Sequence, residues 1–184
     1  MLSAEEKREL LAVAREAIAS ALKGEPYTVP SPATEALAQP AGAFVTLRLD
    51  HELRGCIGYV ESEKPLVQVV AEVAVKAALE DPRFMPLTQE EFEHVTVEVS
   101  VLSPLRRIHS VEEIEIGVHG IVVAMGLRRG LLLPQVAVEY HLDREAFVAA
   151  ALRKAGLPPS VRHAPDLEMY VFEAEVVTEA DVLQ

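Results

Sequence analysis

Two stretches of this chain have the spacing of strands and lie only a turn apart, which constrains how the chain can fold. In Gly42 to Asp50, the residues Ala43, Val45, Leu47 and Leu49 fall on one side and Phe44, Thr46, Arg48 and Asp50 on the other. Side chains alternate across an extended strand, so this spacing predicts a strand. Leu53 to Val60 returns as a second strand, with Leu53, Gly55, Ile57 and Tyr59 facing one way and Arg54, Cys56, Gly58 and Val60 the other. The linking turn, Asp50-His51-Glu52, is far too short for the crossover that parallel strands require. The two strands therefore pair as an antiparallel hairpin.

A third run, His94 to Ser103, carries Val95, Val97, Val99 and Val101 on its core side and His94, Thr96, Glu98 and Ser100 on the other. Shorter strands are expected at Glu115 to Val118, Ile121 to Met125 and Arg129 to Leu133, with turns at His119-Gly120 and Gly126 to Gly130 and a stop at Pro134. Tyr170 to Thr178 is a last strand. Helices are expected where apolar residues recur at the 3.6 period. The first runs from Ser3 to Lys23, opened by a Ser3/Glu6 capping box and stopped by Gly24. The second runs from about Pro65 to Glu80 with Ser62 as its cap, and ends at Asp81-Pro82-Arg83-Phe84, read as a helix stop with an internal Asp–Arg pair. Thr88 with Glu91 is another capping box, Val111 to Ile114 a helical turn, and Asp143 caps a helix through Lys154. Glu25 to Pro40, with four prolines and no period, reads as an extended connector. Hairpin-like strand groups with helices between them predict an α+β fold with a mostly antiparallel sheet. One domain over 1–184 is expected, with helix and connector in 1–40 and the main body in 41–184.

Composition removes several functions. The net charge is -12, whereas nucleic-acid binding needs a basic stripe to displace counterions. Anionic membrane surfaces would repel the chain in the same way. Arg106-Arg107 and Arg128-Arg129 are read as solvated turn residues. No run of about 18 charge-free residues is present, so no transmembrane helix is expected. The start carries no apolar signal region, so a soluble, cytoplasmic protein is expected. The chain has twelve prolines and no asparagine, with arginine outnumbering lysine. That pattern of stiff loops and few thermolabile amides points to a heat-adapted source.

The only cysteine lies in Leu53-Arg54-Gly55-Cys56-Ile57-Gly58. It cannot form an internal disulfide. Residues two apart on a strand emerge on one face about 6–7 Å apart, and a cation at that range favours a thiolate. Gly55 and Gly58 leave room for a ligand or another backbone to come close. Cys56 is thus either a nucleophile, with Arg54 clamping an anion, or a small buried hydrophobe beside a structural ion pair. A nucleophile needs a base, and His119, in a Gly-flanked turn, is the best placed of the six histidines. Glu98, opposite the valines, is either solvated or a buried acid paired with Arg54 or Arg83. Gln135, after Pro134, can line a cleft. No histidine pair has helical i,i+4 spacing and no carboxylate cluster has calcium-loop spacing, so no metal is expected. With neither a P-loop nor a dinucleotide fingerprint, no cofactor is expected.

Leu53-Arg54-Gly55-Cys56-Ile57-Gly58 closely resembles the signature of the AMMECR-one domain family. Asp81 to Leu87, Val97 to Leu102, Gly117 to Gly120, Leu132 to Ala137 and Lys154 to Leu157 follow in the family's order, and the match covers about residue 8 to residue 178. The resemblance implies a larger α+β subdomain with a smaller one, in a cytosolic bacterial or archaeal protein. It also implies the company of a Memo-type protein and a radical-SAM protein, and supplies no reaction. Many relatives carry tryptophan near Leu142 and Val161, and this chain has none. Together these readings predict a pocket of Arg54, Cys56, Glu98, His119 and Gln135, with Gly55, Gly58 and Arg83 beside it, binding a small polar or anionic ligand. Cys56, Glu98 and His119 are its candidate catalytic residues. The alternative is a non-enzymatic adaptor for a Memo-type or radical-SAM partner.

Overall fold

The structure, a computed structural model, describes residues 1–182. Leu183 and Gln184, the end of the expected 1–184 domain, lie outside the described residues. In chain order the elements are α1 (Ala4–Lys23), α2 (Glu35–Ala38), β1 (Ala43–Leu49), β2 (Glu52–Tyr59), α3 (Leu66–Leu79), α4 (Gln89–Phe92), β3 (Thr96–Leu102), β4 (Arg106–Ile108), β5 (His119–Met125), β6 (Arg128–Leu132), α5 (Pro134–Glu139), α6 (Arg144–Lys154), β7 (Glu168–Thr178) and α7 (Glu179–Val182). The fold is α+β, and the pairs β1–β2, β1–β3, β4–β7, β5–β6 and β5–β7 are all antiparallel. The chain divides into two compact units, Met1–Leu102 with Glu175–Gln184, and Ser103–Ala174. No described helix is long and apolar enough to cross a membrane.

In the first unit the strands run in the order β2-β1-β3. Ala43, Val45 and Leu47 lie opposite Val101, Val99 and Val97, and one sheet face is therefore aliphatic. That face packs against Leu10, Leu11, Ala14 and Ile18 of α1 and Val69, Val70, Val73 and Ala77 of α3. Each fully buried leucine, isoleucine or valine side chain there contributes roughly 1.5–3 kcal/mol. α1 begins at its capping box, in which Ser3 Oγ accepts from the Glu6 amide and the Glu6 carboxylate from the Ser3 amide. α3 differs from expectation at its start. Pro65 is the N-cap residue, and Ser62 Oγ accepts from the Lys64 amide without capping the helix. Pro65 lies just outside the helix proper, at φ -50°, so its missing N–H interrupts no intrahelical hydrogen bond. The connector is extended as expected except for the single turn α2, and its Tyr27 and Val29 pack on Val13, Ala17, Val67 and Ala71.

The β1–β2 hairpin closes on the pair Leu49–Glu52, so its loop is the two residues Asp50 and His51, at φ 50° and 67°. Two left-handed residues make the turn whose twist matches the flanking strands, and Asn-Gly is the pair that enters it most easily. The double substitution Asp50→Asn, His51→Gly is expected to stabilise the protein by about 1 kcal/mol. An unchanged or lowered midpoint in thermal melts would contradict this turn geometry.

In the second unit the order is β4-β7-β5-β6. Ile108, Ile121, Val123, Leu132, Met169 and Val171 from these strands pack on Phe147, Val148, Ala151 and Leu152 of α6, which Asp143 caps as expected. Several expectations are corrected here, beginning with the Gly126 to Gly130 turn, since Arg128 and Arg129 already pair with β5 as part of β6. Glu115 to Val118 is a turn rather than a strand, because the Glu115 carbonyl accepts from the amides of Val118 and His119 and Gly117 takes φ 87°. His119 opens β5 instead of sitting in a turn. Arg106-Arg107, read as a solvated turn, belongs to β4, whose Ile108 is buried in this core. Pro134 does end β6 but also starts α5, where proline at the first position costs nothing.

Candidate functional site

Strand register assembles the polar face of the first unit. Thr46 lies opposite Cys56 on one side and opposite Glu98 on the other. Directly opposed residues share a face, so thiol, hydroxyl and carboxylate form one row across β2, β1 and β3. Thr46 is buried, and its hydroxyl donates to Cys56 Sγ at 3.3 Å. Cys56 is half-buried. One register step away, Ser100 lies opposite Phe44, and Phe44 opposite Gly58. A Cβ on Gly58 would stand 2.3 Å from the Phe44 ring, so the glycine is what lets that ring lie flat on β2. Glu98 meets Arg48 Nε at 3.9 Å. Arg48 is therefore its partner, rather than Arg54 or Arg83.

Arg54 is the residue at which the hairpin slips. Leu47 pairs with Gly55 but Arg48 pairs with Leu53, which leaves Arg54 as the extra residue of a β-bulge. Bulges re-aim the side chain they carry. Here the guanidinium binds Glu91 in a two-pronged contact, Nε to Oε1 at 3.0 Å and Nη2 to Oε2 at 2.9 Å. Glu91 also accepts from the Thr88 amide in its capping box. The Arg54 contact, first, and that amide hold the Glu91 carboxyl down at about 2. Arg54 and Arg83 both lie over the Phe84 ring, at 5.8 and 5.5 Å.

Beside Cys56, the Asp81-Pro82-Arg83-Phe84 stop borders the free edge of β2. Asp81 Oδ2 accepts from the Cys56 amide at 2.9 Å and from Arg83 Nη2 at 2.7 Å; Oδ1 accepts from the Arg83 amide and Nε. Arg83 Nη2 also donates to the Cys56 carbonyl at 3.4 Å. An Asp–Arg pair thus takes the hydrogen bonds that another strand would make, which blunts an exposed edge. The guanidinium, above all, holds the Asp81 carboxyl at about 2 although burial opposes it. Arg83 is raised in return, chiefly by Asp81, with the charge of Cys56 a smaller contributor. Arg83 is thus the cation beside this cysteine's backbone, while Arg54 is occupied by Glu91.

His119 and Gln135 belong to the second unit. His119 Nδ1 accepts from the Glu115 amide at 3.0 Å, so the proton of its neutral form sits on Nε2. Gln135 stands in the first turn of α5. In the first unit Cys56, Glu98 and Gly58 share one face, with the Phe44 ring filling the space beside Gly58, and Arg83 lies at the edge by the Cys56 backbone. Gly55 instead pairs with Leu47 on the opposite face, against the Ala77 carbonyl of α3. Sequence reading missed Thr46, Arg48 and Ser100 as companions of the thiol, although the shortness of the turn bore on the pairing. Among the described residues no cluster of three or more histidine, cysteine or acidic side chains could hold a metal ion.

The sequence profile of the AMMECR1 family matches residues 11–177. The chain is similar to a protein of Methanopyrus kandleri, 47% identical with 98% of this chain and 91% of that one covered. It is also similar to a protein of Methanothermobacter thermautotrophicus, 42% identical with 97% and 96% covered. Among solved structures, an uncharacterised protein of Pyrococcus horikoshii superposes with a TM-score of 0.86 at 39% identity, over 91% of this chain and 88% of that one. These relatives come from heat-loving archaea, in line with the composition.

Proposed function

The chain belongs to the AMMECR1 family, and on that premise we propose that it takes up a small polar ligand on the β2-β1-β3 face around Cys56, with the thiol as the reacting group. The observation that carries this reading is the hydroxyl of Thr46 directed at Cys56 Sγ from within the sheet. A cysteine serving only as a small hydrophobe needs no donor. A thiolate gains from one, because it accepts hydrogen bonds that a neutral thiol scarcely needs. The cation of Arg83 by the same residue works in the same direction. The two faces of the sheet also differ. One is aliphatic along β1 and β3, and the other carries Thr46 against the sulfur, with Arg48 further along β1 and Glu98 and Ser100 on β3. Polar groups kept at depth cost free energy unless they bind something.

The test is alkylation of Cys56 by iodoacetamide across pH. At pH 7 the native thiol is expected to react faster than the same thiol in the urea-unfolded chain. Thr46→Val is expected to slow the native reaction about tenfold, since a hydrogen bond to a charged acceptor is worth about 1.5 kcal/mol. Rates in the unfolded chain should not change. A native thiol slower than the unfolded one would end this reading.

A further inference from the structure

Three side chains on the polar face are under-used. Ser100 is 1% exposed, and among the described residues its hydroxyl has no hydrogen-bond partner. A buried hydroxyl left so costs about 1–3 kcal/mol. Glu98 and Arg48 have side chains 19% and 33% exposed and stand 3.9 Å apart. That separation is an ion pair without a hydrogen bond. Glu98 keeps its acceptor sites and Arg48 its fork of donors. Register places all three on the face of Thr46 and Cys56, with Ser100 two residues from Glu98 on β3 and Arg48 two from Thr46 on β1.

We propose that the ligand is a zwitterion of the α-amino-acid class. Its ammonium is held by Glu98 and Ser100, its carboxylate by Arg48, and its side chain is directed toward Cys56. The inference rests on the reading of the Cys56 face given above. Charge selects this class. An amine alone would meet Arg48, and an anion alone would meet Glu98; in each case a like charge close by opposes binding. A ligand with both charges a few ångströms apart slots into the loose pair and leaves its sum unchanged. Arg48 supplies the planar fork that matches a carboxylate. Glu98 and Ser100 together accept two of the three ammonium protons.

The experiment is a thermal melt of the whole chain with each of the twenty L-amino acids. The strongest binder is then compared with its N-acetyl and amide forms. Cys56 alkylation is followed in parallel. A free amino acid is expected to raise the melting temperature by several degrees in a concentration-dependent way and to slow alkylation. The N-acetyl form, which lacks the ammonium, and the amide, which lacks the carboxylate, should each lose most of the shift. Glu98→Gln and Ser100→Ala should lose it too while still folding. A shift as large with the N-acetyl form, or no shift with any amino acid, overturns the proposal. If Cys56 nonetheless reacts fast in the native state, the reactive thiol stands and only the ligand class falls. If the shifts appear but Cys56 is inert, the ligand class stands and the thiol's role falls.

Discussion

Asp81→Ala is expected to cost about 3 kcal/mol of stability. The carboxylate is 2% exposed and accepts from two backbone amides and from the Arg83 guanidinium. Its removal strands the Cys56 amide at the sheet edge and leaves Arg83 without its partner. Each loss of that kind costs about 1–3 kcal/mol. Arg83, half exposed, recovers part of its share from water, which keeps the total below that for a fully buried pair. The same carboxylate sets an acid limit. Its pKa falls from the ordinary 3.8 to about 2 on folding. A depressed carboxylate contributes its stability above the unfolded value, and the contribution disappears as pH falls through the folded one. About 2 kcal/mol is therefore present at pH 5 and lost between about pH 4 and pH 2. Glu91, also near 2, adds a smaller contribution in the same window, since its partly exposed contact with Arg54 is screened. Urea titrations at pH 7 and at pH 3 measure both effects. Asp81→Ala should be less stable at pH 7 and flatter in its acid response. A loss below about 1 kcal/mol, or an unchanged acid slope, would mean that the Asp81 contacts do not hold this edge.

Gly55→Ala is expected to cost as much or more. A Cβ on Gly55 would stand 2.2 Å from the carbonyl oxygen of Ala77 in α3. The obstacle is helix backbone, so no side-chain rotation relieves it. Either β2 lifts away from α3 or the helix shifts, at about 3 kcal/mol by the usual cost of overpacking. The movement would also carry Cys56, the next residue, out of its row with Thr46. Thermal melts and iodoacetamide rates of the variant should fall together. Ala77→Gly offers a check, because removing that methyl leaves the carbonyl in place and should not rescue Gly55→Ala. A tolerated Gly55→Ala would mean that the strand and the helix are farther apart than described.

Local signals were legible wherever a short stretch decides its own structure. The Ser3/Glu6 and Thr88/Glu91 boxes, the Asp143 cap and the Asp81–Arg83 pair lie within a few residues of their partners and appear as read. The misreadings cluster where one residue type serves two ends. Pro134 closes a strand and opens a helix, and Arg106-Arg107 looks like a surface turn until Ile108 finds the α6 core. Glu98 was visible as a carboxylate facing away from the valines. Its partner was not visible, because Arg48 reaches it from β1, fifty residues earlier in the chain.

The alternation of β1 and the short Asp50-His51-Glu52 turn by themselves pointed to an antiparallel β1–β2 hairpin, with one face of β1 aliphatic. They did not determine which face the sulfur shows. Continuing the pairing of Leu49 with Glu52 and Arg48 with Leu53 without interruption would set Cys56 opposite Val45, among the core valines. The bulge at Arg54 moves the register by one, and Cys56 meets Thr46 instead. Because side chains alternate with a period of two, a single extra residue exchanges the two faces. The extra residue sits where Arg54 finds Glu91 on α4, a contact between segments 37 residues apart. Distant contacts of that kind form only once the chain has closed on itself, and nothing in the hairpin's own sequence fixes them.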